Sequence, residues 1–352
     1  MRVLVTGGAG FIGSHIVDLL ADAGHEVVVL DSLVGHGGAA PSWWRTDVEA
    51  HIGDVRDPNA WLTAARGVDA VCHQAARVGL GVDFSDMGAY VDDNAAGTAA
   101  GLMALHDLGF KGRIVLASSM VVYGEGSYAC PAHGVQRPGP RTAAQLTAGE
   151  FEHRCGECAA PLHWQPVDES APLDPRNTYA ATKVHQEHLC GVFGREHDVT
   201  VTMLRYHNVY GPRCPLDTPY AGVASLFRAA VARGEPPRVL EDGGQTRDFV
   251  HVRDVARANV LALTTEQPFD GALNVASGQP RTILQVAEDI CSGSGLLPEV
   301  AGGGRLGDVR HIVASPVRAR THLGFTAREP WEPRAPAAEP HVRGLSRAAD
   351  AR

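Results

Sequence analysis

The stretch Thr6-Gly7-Gly8-Ala9-Gly10-Phe11-Ile12-Gly13-Ser14-His15 decides how this chain is read. The run Arg2-Val3-Leu4-Val5 precedes it, and Phe11, Ile12, Ile16, Val17, Leu19 and Leu20 follow at helical spacing. Strand, glycine turn, helix is the context in which such a motif gains meaning. Gly7 permits the tight turn, Gly10 lets backbone approach a pyrophosphate, and Gly13 lets the helix pack close to the strand. N–H groups at the helix start can then hold phosphate oxygens. Three spaced glycines say little by themselves in a chain with 40 glycines among 352 residues. The following segment adds weight. Asp31 closes the next apolar run, Glu26-Val27-Val28-Val29-Leu30, 18 residues past Gly13, where a carboxylate can bind ribose hydroxyls. No Arg stands at 32–34 to receive a 2′-phosphate, which favours NAD over NADP.

The length suits one large or two modest domains with ample core. Apolar residues make up 44% and charged residues 20%, as in globular proteins. A net charge of -9 argues against nucleic acid or anionic membrane as a partner. No stretch has the pattern of a signal peptide or a membrane span. Seven cysteines in an intracellular-looking fold read as reduced thiols rather than disulfides, and the expected location is the cytoplasm.

Along the chain, Glu49–Asp57 reads as a strand ending in Asp54 and Val55, with the Asp54 carboxylate placed to accept from an adenine amino group. Val68–Ala76 is a second apolar strand, ending at Gln74 and the small residues Ala75 and Ala76, which leave room for a cofactor. Residues 88–108 read as a long helix holding Asn94. Arg113–Ser119 is a strand ending in the hydroxyls of Ser118 and Ser119. Strands alternating with helices predict an α/β fold, a Rossmann-type doubly wound parallel sheet. Ligands of such sheets sit at the carboxyl ends of the strands. The expected organisation is a Rossmann domain from 1–125 and 171–210, a Cys/His-containing insert at 126–170, a smaller C-terminal substrate-binding region at 211–328, and a disordered tail at 329–352 rich in Pro, Ala, Arg and Glu.

Tyr179-Ala180-Ala181-Thr182-Lys183 puts Tyr and Lys at i and i+4 on one helix face. Such a pair is also common on solvated faces; the glycine motif upstream selects the catalytic reading. A nearby ammonium lowers a phenol pKa, and the phenolate can take a proton from a hydroxyl as hydride leaves the same carbon. Ser119 would hydrogen-bond the same oxygen. Lys183 is one of two lysines in the chain.

With these residues in view, the chain resembles the extended short-chain dehydrogenases/reductases, specifically the NAD-dependent epimerases and dehydratases of nucleotide sugars, over about residues 1–326. The resemblance rests on Thr6–His15, Asp31, Gly53-Asp54-Val55, His73–Ala76, Ser118–Gly124, Tyr179 with Lys183, Leu204–Arg213, Arg247–Val255 and Gly307–Arg310. It implies catalysis by Ser119, Tyr179 and Lys183. It implies NAD contacts from Gly7, Gly10, Phe11, Ile12, Gly13, Asp31, Asp54, Val55, Gln74, Ala75, Ala76, Asn94, Ser118, Tyr179, Lys183 and Tyr206. Ser119, Asn208, Arg247 and Arg310 would meet the substrate, the arginines through its phosphates or ribose. The resemblance also implies a homodimer through helices near 88–108 and 178–197.

Sugar 4,6-dehydratases of this family tend to carry Asp and Glu after the catalytic serine, and its decarboxylases Glu at the second place. This chain has Met120 and Val121, which transfer no protons. Oxidation and reduction at C4 remain, predicting a 4-epimerase with a net dehydrogenase or 4-ketoreductase as the competing enzyme. A non-catalytic nucleotide-sugar or NAD sensor is the alternative from another class. The insert resembles that of dTDP-L-rhamnose 4-epimerases; UDP-glucose and UDP-glucuronate are the other candidate substrates.

Within the insert, Cys130-Pro131-Ala132-His133 and Cys155-Gly156-Glu157-Cys158 have the two-residue gaps of a structural zinc site. His153 and His163 could replace His133. An unligated loop, a redox dithiol and a protein-docking module stay open as other readings. Cys72, Cys190, Cys214 and Cys291 read as small buried apolar residues.

Overall fold

Alternation of β-branched and aliphatic side chains builds a central sheet of seven parallel strands. The computed structural model describes residues 1–79, 84–216 and 222–334. In chain order the strands of this sheet are β1 (Arg2–Thr6), β2 (Glu26–Asp31), β3 (Glu49–Ile52), β4 (Ala70–His73) and β5 (Arg113–Ser119), then, after three strands of the insert, β9 (Thr200–Tyr206) and, further on, β13 (Gly271–Val275). Their spatial order is β13-β9-β5-β4-β1-β2-β3. The order reverses between β1 and β4, which opens the crevice for a ligand.

Successive residues of each strand serve opposite faces. Val3 and Val5 face α1 (Phe11–Asp22), α8 (Val252–Thr264) and α10 (Val317–Leu323), in one core with Ile16, Val255 and Ala319. Leu4 faces the other core, with Trp61 of α2 (Pro58–Ala64), Leu105 of α4 (Gly97–Asp107) and Phe193 of α6 (Thr178–His197). Each such aliphatic side chain contributes roughly 1.5–3 kcal/mol by leaving water. Before α4, α3 (Met87–Tyr90) runs into a π-helical turn over Val91–Ala96, so the expected helix at 88–108 is one rod with a widened turn at Asn94.

Beyond the sheet, β10 (Asn208–Tyr210), β12 (Thr246–His251), β14 (Pro280–Thr282) and β16 (His311–Ile312) form a second small sheet. The strands β11 (Arg238–Leu240) and β15 (Glu299–Gly302) pair beside it. With α7 (Val223–Ala232) and α9 (Ile283–Cys291) they enclose Tyr210, Phe227, Val239, Phe249 and Val286. The insert makes a three-stranded antiparallel sheet of β6 (Ser127–Cys130), β7 (Gly134–Gln136) and β8 (His163–Gln165), plus the short α5 (Ala143–Thr147). The residues Thr142 and Gln145 close α5 with a reciprocal capping box.

Two expectations about boundaries need correction. The Rossmann sheet does not end at 210: β13 and helix α8 come from the segment assigned to the substrate region. A five-residue strand with no alternation of its own is hard to see before its neighbour β9 is known. The tail does not lose order at 329. Trp331 packs on Tyr210 and Phe249, and its indole N–H donates to Asp289 at 2.7 Å. Residues 335–352 lie outside the described residues.

Candidate functional site

The glycine turn closes as its spacing predicts, for reasons now visible atom by atom. Gly7 has φ +69, and a Cβ there would lie 2.8 Å from Ala75 N. At Gly13 a Cβ would lie 2.1 Å from Gly7 O, so the helix packs against the turn itself. At Gly10 it would meet Gly7 O alone, at 3.2 Å, leaving that side open to a pyrophosphate. α1 starts behind Gly10 without a side-chain cap, so the N–H groups of its first turn, at Phe11, Ile12 and Gly13, are available to phosphate oxygens. Asp31 Oδ2 accepts from Ala9 N at 3.0 Å and Oδ1 from Leu33 N at 2.8 Å. Each oxygen keeps a lone pair for a ribose hydroxyl. This cradle fits a dinucleotide. Asp54 holds Arg56 with both carboxylate oxygens, which keeps its carboxyl below the usual range. Val55 packs its side chain against Gly97 and gives its carbonyl to Trp61.

A polar relay that the sequence did not announce fixes the strand ends. Thr6 Oγ1 accepts from Gln74 N and Ala75 N, each at 3.2 Å, so its proton goes to His73 Nδ1 at 2.7 Å. His73 Nε2 then donates to Thr98 Oγ1 at 2.9 Å, and Thr98 donates to Asn94 O at 2.7 Å. Gln186 of α6 donates to Thr98 as well. Burial, with the Lys183 charge second, lowers His73 to about 3, so this imidazole stays neutral. Ala75 and Ala76 follow directly, half-buried beside the glycine turn.

Helix α6 delivers the reacting groups. Its N-cap Asn177 accepts from Ala180 N at 2.9 Å, which orients the first turn and Tyr179 within it. The Tyr179 phenol faces Ser119 at the end of β5. Desolvation raises this phenol to about 12, with Ser119 opposing. Lys183 Nζ lies 5.9 Å from the Tyr179 ring centre and donates to Ala117 O at 2.8 Å. Burial lowers Lys183 to about 8. Ser119, Tyr179 and Lys183 therefore meet as expected.

On the substrate side, Asn208 Oδ1 is buried without a hydrogen-bond partner among the described residues. The Arg247 guanidinium is held by the carbonyls of Thr246, Val309 and Arg310 and forms no ion pair among the described residues. A half-buried cation held only by neutral carbonyls keeps a net charge to offer an anion.

Several side chains expected to meet a ligand are engaged with other protein groups in the structure. Arg310 spends all five N–H donors on Glu152, Glu241 and Asp242, and three carboxylates leave no favourable place for a phosphate. Asn94 is fully buried and binds Arg77 N, Arg77 O and Thr182 Oγ1; it ties the loop after β4 to α6. Ser118 turns away from the site to Glu187, which also grips Arg205 through both oxygens. Gln74 and the Tyr206 phenol are joined to buried Asn259 behind the strand ends. Ser118 and Gln74 were placed by their positions at strand ends, Asn94 by its helix, and Tyr206 and Arg310 by the resemblance. Position alone does not say which way a side chain turns. Asn259, Glu187 and Glu152 are the partners that sequence reading missed, because the residues they bind are distant in the chain.

A glycine-turn cradle with a serine–tyrosine–lysine centre at the carboxyl ends of a doubly wound sheet defines a dinucleotide-binding oxidoreductase type of site. The chain belongs to the NAD dependent epimerase/dehydratase family, which matches residues 3–143 and 154–276. A dTDP-L-rhamnose 4-epimerase of Burkholderia thailandensis is 33% identical over 332 residues, covering 92% of this chain and 90% of that protein. A UDP-glucose 4-epimerase of Halalkalibacterium halodurans is 30% identical over 362 residues, covering 97% and 93%. The crystal structure of the Thermus thermophilus UDP-glucose 4-epimerase complex with NAD matches with TM-score 0.75 and 32% identity, covering 94% of this chain and 95% of that one.

Proposed function

We propose that the protein is an NAD-dependent nucleotide-sugar 4-epimerase whose substrate is dTDP-L-rhamnose and whose product is dTDP-6-deoxy-L-talose. The observation that carries the reaction type is Tyr179 facing Ser119, with Lys183 on the same helix and with Met120 and Val121 next after Ser119 in the chain. That neighbourhood offers one acid–base group at one carbon. Bound NAD would supply the hydride acceptor and donor for C4, and its positive ring would favour an ionised phenol. Tyr179 Oη takes the C4 hydroxyl proton and gives it back, while Ser119 Oγ holds the same oxygen. Lys183 adds positive charge beside the phenol, favouring its ionised form. Arg247 and Asn208 hold the diphosphate, so the sugar can turn its other face while the nucleotide stays fixed. No net redox occurs, and no second substrate is needed.

The sugar assignment is supported by the first relative named above and by the insert. UDP-glucose is favoured instead by the second relative and the Thermus structure. We take the enzyme to be cytoplasmic, in keeping with seven unpaired thiols. We also take it to be a homodimer. Met87, Val91, Met103 and Val192 stay 37–63% exposed on the neighbouring rods of α3–α4 and α6, an apolar face suited to a second copy.

NMR of products from dTDP-L-rhamnose, UDP-glucose and UDP-glucuronate, without added NAD, tests the reading. Conversion of the first to its C4 epimer is expected. No conversion of any, with reduction of added NAD, would replace the epimerase by a dehydrogenase. Tyr179→Phe should keep NAD bound and lose roughly 10²–10⁴-fold in turnover; unchanged turnover would remove Tyr179 from its role.

A further inference from the structure

We propose that Cys130, His133, Cys155 and Cys158 hold one Zn²⁺ in a closed tetrahedral site that fixes the insert against the substrate-binding region. The four ligand atoms lie within 4.8 Å of one another. Cys130 Sγ is 3.6 Å from His133 Nδ1 and 3.7 Å from Cys158 Sγ, and Cys155 Sγ is 3.4 Å from His133 Nδ1. A tetrahedron with Zn–S of about 2.3 Å and Zn–N of about 2.0 Å has edges of about 3.7 Å between sulfurs and about 3.5 Å from sulfur to nitrogen. The observed separations are those edges. A disulfide needs sulfurs at about 2.05 Å, and all four side chains instead converge on one point.

Backbone geometry around the sulfurs is a second, independent observation. The N–H groups of Ala132 and His133 face the Cys130 sulfur, those of Glu157 and Cys158 the Cys155 sulfur, and that of Ala160 the Cys158 sulfur. Each knuckle is a tight turn. Gly134 with φ +69 ends the first, and Ala159 with φ +57 ends the second, its N–H donating to Cys155 O at 2.9 Å. Such N–H groups orient thiolates and spread their charge around a metal. His133 Nε2 faces Glu157 at 3.8 Å on the outer side.

The insert needs such a tie. Its own apolar cluster is Tyr128, Cys130, Cys155 and Leu162, with Trp164 partly buried, too little to order some forty residues. The segment leading into Cys155 also carries Glu152 and His153. Glu152 binds Arg310 and His311, and His153 meets Glu125 at 3.0 Å. A metal at Cys155 therefore anchors the segment that seats the insert on β16 and its neighbours.

Elemental analysis of the full chain, purified without chelator, should give one zinc per chain. Cobalt reconstitution should give the visible absorption of tetrahedral, thiolate-bound Co²⁺. Cys158 is the exposed cysteine of the four ligands; Cys158→Ser should lower metal affinity ~10-fold or more and lower the melting temperature, with bound NAD retained. A metal-free protein whose cobalt form lacks that spectrum would overturn the site. So would iron in place of zinc, or fewer than seven free thiols after denaturation without reductant. None of these readings depends on turnover, so the site stands or falls apart from the epimerase assignment.

Discussion

His73 shows how one side chain organises a site without touching substrate. Its two nitrogens sit between Thr6 and Thr98, and every proton in the relay has a single direction. Burial holds it neutral, lowered to about 3, and His207 is lowered to about 3 by the same cause. Unfolding exposes both to water, where histidine titrates near 6.5. The unfolded chain then binds more protons between roughly pH 6.5 and the folded values, so these groups cost stability as pH falls through that window. The expected loss is about 1.4 kcal/mol per pH unit for each proton taken up. Urea midpoints at pH 7 and pH 5 measure it, and His73→Gln should remove one group's share of the slope. An unchanged slope would mean that His73 is charged in the folded protein.

At the scale of elements, the decisive contact is between the glycine turn and the start of α1. Gly13 is required by a carbonyl oxygen of the turn rather than by a ligand. Gly13→Ala places a methyl 2.1 Å from Gly7 O, so the helix must retreat from the strand. The expected cost is about 1–3 kcal/mol of stability, with NAD lost on purification because the first-turn N–H groups move with the helix. Calorimetry and release of nucleotide on denaturation check both parts; a stable, NAD-loaded variant would contradict the geometry. The π-helical turn at Val91–Ala96 is the other element with a purpose. It widens the rod where Asn94 reaches both Arg77 and Thr182, joining the loop after β4 to the helix that carries Tyr179 and Lys183.

For the molecule as a whole, the sheet supplies the cofactor crevice and the C-terminal region supplies Arg247, while the insert closes over Arg310. A homodimer would cover the apolar strip on α3, α4 and α6. Met103→Glu combined with Val192→Glu should shift the protein to monomer in light scattering at micromolar concentration, with NAD still bound. A dimer that persists would place the interface elsewhere.

The glycine spacing, Asp31, the Tyr179–Lys183 interval and the Cys/His knuckles were legible in the sequence because each is a pattern of near neighbours. Helix and strand periods and i, i+4 faces follow from local backbone geometry. The alternating runs were therefore enough for the doubly wound sheet. Side-chain direction was not legible. Arg310 looked free until Glu152, 158 residues away, was found on it. Asn94, Ser118, Gln74 and Tyr206 lay at the expected strand and helix positions but turned into buried networks with Thr182, Glu187 and Asn259. The seventh strand, β13, needed β9 beside it to exist. Local composition determined the elements and the chemistry they carry. Which buried polar groups satisfy one another was decided by tertiary packing alone, because a desolvated donor takes the partner that folding brings to it.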